Sequence, residues 1–261
     1  MPTMASQHAE LYYEVHGEGH PIIFTHGASW NHKQWEPQIQ FFAERYKAIV
    51  WDVRGHGYST LPEGKVDSET FSKDLIALMD HLGIKRAVLC GLSMGGHISL
   101  QTAIRFAERV EALVLIGTPF TNAFNWFEKC FVPFNRWCSR MIPMRITGKL
   151  QASMLSKYNP DNRAYIEEAF NMLTHDRWMR LWDAVTRMES GEHLVHVQCP
   201  VLLLQGEHDT MIKRQQKYMH SKIRNSELHI IPGAHHATNL DNPAAVNDQI
   251  SRFLLKHHYE F

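Results

Sequence analysis

The sequence predicts an α/β fold, a mostly parallel, doubly wound sheet interrupted once by an inserted helical cap. Three observations carry this. Short apolar runs alternate with helical spacing along the first 118 residues, the rhythm of successive βαβ units. From 120 to about 191 the alternation stops and only helical spacing remains. At Pro200 it resumes and runs to the last helix. The expected division is a core of 1–118 and 191–261 with a cap of 119–190.

In chain order, residues 8–16 alternate around Leu11, Tyr13 and Val15, an edge strand or hairpin closed by Gly17 to Gly19. A short apolar strand, 21–25, runs into His26-Gly27-Ala28-Ser29-Trp30. Trp35, Ile39 and Phe42 give 33–45 a helical spacing. A strand at 47–51 enters Asp52-Val53-Arg54-Gly55-His56-Gly57-Tyr58-Ser59. A helix starts at Ser68, with Phe71, Leu75, Leu78, Met79 and Leu82 on one face and Gly83 as its stop. A strand at 86–90 and a helix at 96–106 flank Gly91-Leu92-Ser93-Met94-Gly95. The next strand, 110–116, ends at Gly117-Thr118-Pro119. The cap opens with an aromatic- and Met-rich helical stretch and continues with helices at 161–173 and 176–188. A strand at 201–205 leads into Gly206-Glu207-His208-Asp209, and a helix follows at 212–223. The strand 228–231 leads into Pro232-Gly233-Ala234-His235-His236, and a helix at 242–256 closes the fold.

Composition excludes several classes. Twenty-seven Lys and Arg balance 27 Asp and Glu. No long basic run appears, which argues against a nucleic-acid partner. No stretch of about 20 apolar residues could span a bilayer. The first ten residues do not read as a signal peptide, and a cytoplasmic location is expected. Cys90 and Cys199 read as small buried hydrophobes, and Cys130 and Cys138 as free thiols. The 18 histidines are scattered, with no cluster of metal-ligand spacing. Neither a metal nor an organic cofactor is expected.

Gly-x-Ser-x-Gly between a strand and a helix is a nucleophile elbow. The turn is so tight that Ser93 takes a strained conformation, and glycine at 91 and 95 removes collisions around it. A serine hydroxyl needs a base within hydrogen-bond reach, and the base needs an orienting carboxylate. Ser93, Asp209 and His236 each follow a strand of the parallel sheet, at the edge where ligands bind in such folds. Ser93 is assigned as nucleophile, His236 as base and Asp209 as orienter.

With these residues in place, the sequence resembles the α/β-hydrolase superfamily. The resemblance rests on His26-Gly27, Asp52-x-Arg54-Gly55-His56-Gly57-x-Ser59, Gly91-Leu92-Ser93-Met94-Gly95-Gly96, Gly206-Glu207-His208-Asp209 and Gly233-x-x-His236. It covers nearly the whole chain, the cap least, and is similar to small carboxylesterases and the enol-lactonase-like and cofactor-free haloperoxidase-like hydrolases. The family pattern selects His236 over His235. It favours Asp209 because no carboxylate lies at 117–119, with Glu207 the weaker candidate. It also implies an oxyanion hole from the backbone N–H groups of Ala28 and Met94, and an architectural role for Arg54 to Gly57.

The implied reaction is hydrolysis of a small, largely apolar carboxylic ester through an acyl-enzyme. A lactonase using the same triad and a low-turnover ligand sensor are the alternatives. Trp30, Trp126, Phe127 and Phe131 are candidate pocket residues. The cap cations read as a solvated face or as a sign of an anionic substrate. A small-molecule ester is the expected partner, and the chain is expected to be a monomer or homodimer.

Overall fold

The structure, a computed structural model, describes residues 2–259 and every side chain among them except that of Phe127. The described residues form one eight-stranded sheet in the order β1-β2-β4-β3-β5-β6-β7-β8. The strands are β1 (Thr3–Ser6), β2 (Ala9–His16), β3 (His20–Thr25), β4 (Tyr46–Trp51), β5 (Ala87–Leu92), β6 (Val110–Ile116), β7 (Val201–Gly206) and β8 (Ser226–Ile231). From β4 across to β8 every pairing is parallel. β2 joins β4, and β1 joins β2, antiparallel.

The helices of the core are α1 (Glu36–Phe42), α2 (Thr70–His81) and α3 (Met94–Arg105) before the cap. Strand residues alternate between the two faces of the sheet, and both faces are apolar. Ile23, Ile49, Leu89, Leu113 and Leu203 pack with Phe71, Leu75 and Leu78 of α2 and Ile98 of α3. Ile22, Phe24, Val50, Val88, Val114 and Leu202 pack with Phe42 of α1 on the other face. Each such side chain contributes about 1.5–3 kcal/mol on burial.

The expected helix at 33–45 is divided. A 3-10 turn, His32–Trp35, is capped by Asn31, whose side chain accepts the Lys33 N–H. Pro37 then lies in the first turn of α1, where its missing N–H leaves no helical bond unmade. β1 is an additional strand at the sheet edge.

Between β6 and β7 the cap comprises α4 (Trp126–Ser139), α5 (Met144–Leu155), α6 (Asn162–Asn171) and α7 (His175–Val185). Its two ends leave the sheet side by side. Thr121 bridges Glu189, and the Ser190 N–H donates to the Phe120 carbonyl at 2.9 Å. Ala152 and Leu155 of α5 share a core with Ile166 and Ala169 of α6. Trp178 and Leu181 of α7 join the core on the α2 face. α4 has no fully buried residue among those described.

After β7, α8 (Lys213–Lys222) precedes β8, and a short helix α9 (Thr238–Asp241) precedes α10 (Pro243–Lys256). The four cysteines are free. Cys90 is fully buried, and burial pushes the Cys199 thiol up to about 12. No helix among the described residues is long and apolar enough to cross a membrane.

Candidate active site

The candidate site lies at the carboxyl edge of the sheet, where β5, β7 and β8 each end in a loop that carries one of the candidate residues. Ser93 links β5 directly to α3 with φ 53 and ψ −114. Such a conformation costs a non-glycine residue on the order of 1–3 kcal/mol and persists only where its surroundings hold it. Three features hold it here. The Ser93 N–H donates to the Ile116 carbonyl at 2.9 Å. A Cβ at Gly91 would strike the Gly95 backbone, and one at Gly95 would strike the Thr25 carbonyl. Gly96, which the sequence pattern does not demand, leaves room for the Thr118 hydroxyl.

His236 Nε2 lies 2.9 Å from Ser93 Oγ, and His236 Nδ1 lies 2.6 Å from Asp209 Oδ2. A carboxylate only accepts, so Nδ1 carries the proton and Nε2 accepts from the serine hydroxyl. Asp209 is fully buried, and its other oxygen accepts the Met211 N–H at 3.2 Å. Burial opposes its charge, but His236 and the backbone N–H outweigh burial and hold its pKa below the usual value. Burial likewise opposes an imidazolium at His236. The Asp209 charge and hydrogen bond, with Asp241 beyond, reverse that and raise its pKa. The dyad is thus tuned to accept a proton while Asp209 stays ionised.

The weaker candidates lie elsewhere. Glu207 accepts the Gly233 N–H at 2.9 Å. The His235 ring stacks on Tyr158, with centroids 5.7 Å apart. β3 and β5 are neighbours, with Thr25 beside Gly91, so Ala28 and Met94 follow adjacent strand ends. The neighbouring Gly27 N–H donates to Gln34 Oε1 at 2.8 Å and anchors the loop. Neither the Ala28 nor the Met94 N–H has a hydrogen-bond partner among the described residues. His26 is architectural. Its Nδ1 donates to the Gly27 carbonyl at 2.7 Å, its Nε2 accepts the Val53 N–H at 3.0 Å, and burial pushes its pKa down to about 4. Arg54 is a bidentate partner of buried Asp74, at 2.5 and 2.6 Å.

The pocket residues divide. Trp30 is buried beside the Ala28 loop, edge-on to Tyr165 of α6. Trp126 and Phe131 are 78% and 45% exposed, which corrects the expectation that they wall a pocket. The physical reason is that α4 presents its polar residues to α7: Asn135 accepts the Trp182 indole N–H at 3.1 Å. The side chain of Phe127 lies outside the described residues.

Sequence reasoning missed the contact between cap and relay. Tyr158, between α5 and α6, stacks on His208 with centroids 4.4 Å apart and on His235. Asn159 donates to the Leu240 carbonyl at 3.1 Å and Asn162 to Asp241 Oδ1 at 3.2 Å. Asp241 Oδ2 accepts the His235 N–H at 2.8 Å. This short segment touches the loops of Asp209 and His236 at once. Tyr158→Ala is expected to lower kcat about ten- to a hundredfold with little change in KM, since small misplacements cost rates of that order. Tyr158→Phe keeps the stacking ring and is expected to restore kcat, as steady-state kinetics of the two variants would test.

Known proteins share this architecture. The chain is 26% identical to 3-oxoadipate enol-lactonase 2 of Acinetobacter baylyi, over 95% of this chain and 94% of that protein. A thermophilic esterase from Thermogutta terrifontis superposes with a TM-score of 0.87 at 26% identity, over 98% of this chain and 97% of that one. The enol-lactonase from Burkholderia xenovorans LB400 superposes with a TM-score of 0.88 at 24% identity, over 97% and 100%, and shares the fold. The family described as serine aminopeptidase, S33, matches residues 20–243. The chain belongs to this family of α/β-hydrolases.

Proposed function

We propose that the chain is a serine carboxylesterase acting on small, largely apolar esters through an acyl-enzyme. The observation that carries this is the continuous relay from Asp209 through His236 to Ser93. Neutral His236 Nε2 takes the hydroxyl proton as Ser93 Oγ attacks the ester carbonyl. The negative charge that develops on the carbonyl oxygen is met by the Ala28 and Met94 N–H groups, each such donor being worth about 10²–10³ in rate. Collapse expels the alcohol, which takes its proton from His236. Water then attacks the acyl-Ser93 ester, with His236 again as base, and releases the acid.

A lactonase reading has its own support in the 26% identical enol-lactonase. The same steps open a ring, and the leaving oxygen stays tethered to the acyl group until water releases one hydroxy or keto acid. The deciding experiment is steady-state turnover of p-nitrophenyl esters from acetate to laurate beside a set of lactones. Continuous turnover peaking at short acyl chains is expected. Turnover of lactones alone would favour the second reading. A burst that stops after one equivalent would overturn both in favour of a ligand sensor.

A further inference from the structure

The first helix of the cap is turned inside out. Its contacts with α7 are polar: beside the Asn135 contact, Arg136 pairs with Asp183 at 3.5 Å. Its apolar stripe, Trp126, Phe134 and Trp137, follows the helical period and is exposed, and Met141 just past the helix end is 70% exposed. An amphipathic helix ordinarily turns that stripe to the core. α5 extends the arrangement. Gly148, Ala152 and Leu155 face inward, while Leu150 and Met154 stand on the outside, Leu150 64% exposed. Protein surfaces rarely leave so extended an apolar face to water without a partner.

Charge identifies the occupant. Residues 126–155 carry five Lys and Arg against one acid, in a chain of net charge +0. Four of those cations, Lys129, Arg140, Arg145 and Lys149, are exposed beside the stripe. A second copy docked symmetrically would set this cationic face against an identical cationic face. Anionic lipid headgroups neutralise them, while Trp and Phe rings enter the headgroup boundary. The helices have 14 and 12 residues, too short to span a bilayer but suited to lying in its surface. We propose that the α4–α5 face of the cap docks reversibly on anionic lipid surfaces.

Sedimentation of the full chain with vesicles of equal parts phosphatidylcholine and phosphatidylserine tests this. Binding is expected, and vesicles of phosphatidylcholine alone are expected to bind more than about twenty-fivefold less tightly, since they leave all four cations unpaired. Arg145→Gln combined with Lys149→Gln is expected to weaken binding about twenty-fivefold, at about fivefold per cation near an anionic surface. Phe134→Gln combined with Leu150→Gln is expected to abolish it. Both variants should keep the parent Tm and the parent hydrolysis of a soluble ester. The proposal is overturned by absence of binding to the mixed vesicles, by equal binding to both vesicle types, or by variants that bind as the parent does. A dimer seen by light scattering, broken by Leu150→Gln and indifferent to the mixed vesicles, would assign the face to a second copy instead.

Discussion

Ser93→Ala is expected to lower kcat for p-nitrophenyl butyrate by about 10⁵–10⁶, the loss seen when the nucleophile of such a relay is removed. The fold should survive. Alanine removes one oxygen and keeps the Cβ already accommodated at φ 53, so the strain is no greater than in the parent. The Ser93 backbone N–H bond to Ile116 is untouched. Circular dichroism should therefore match the parent and the Tm should stay within a few degrees. KM should change little, because the hydroxyl contributes to the transition state far more than to ground-state binding. A residual rate above that in water is expected from positioning and the oxyanion donors. A fluorophosphonate should phosphonylate the parent at Ser93, adding its mass less that of the HF expelled, and leave the variant unmodified. Hydrolysis within tenfold of the parent would remove Ser93 from the role assigned to it.

Much of this arrangement is legible in the sequence because its determinants are local. Gly91 and Gly95 are demanded by backbone approaches within one turn, and the structure places the Gly95 backbone and the Thr25 carbonyl where side chains would have stood. Ser93, Asp209 and His236 are each found just beyond an apolar strand, and parallel pairing brings those strand ends to one edge. The β1–β2 hairpin is illegible for the opposite reason. Its two-residue turn is Gln7-His8, both at positive φ, where Asn-Gly or Asp-Gly would have signalled it. The contact of Tyr158 with His208 and His235 joins residues 50 and 77 positions apart, and no spacing encodes it. The cap shows the limit most clearly. The period of Trp126, Phe134 and Trp137 marks one helix face. Periodicity cannot say whether that face is inward. Polar contacts from Asn135 and Arg136 to α7 decide the orientation, and they depend on tertiary packing.

Asp209→Asn is the second large effect, and its pH signature is as informative as its size. The asparagine amide can donate to Nδ1, which favours the tautomer with its proton on Nε2, facing Ser93. That ring can no longer accept the hydroxyl proton, and a loss of about 10⁴ in kcat is expected. The profile should move as well. His236 must be neutral to act as base, so activity is lost as pH falls through its pKa. In the parent, burial opposes the charged ring, but Asp209 with Asp241 raises that pKa. The acid limb of kcat/KM should then have its midpoint above the ordinary histidine value of about 6.5. Removing the Asp209 charge leaves burial less opposed, and the limb should shift to lower pH. Asp241 remains, so the shift reports Asp209 alone. His235 lies beside the dyad, and its pKa is held below the ordinary value, first by burial. As pH rises it should therefore become neutral before His236 does. Measuring kcat/KM from about pH 5 to 9 for parent and variant separates the outcomes. A loss below tenfold, or an acid limb that does not move, would mean that Asp209 neither orients nor charges the base.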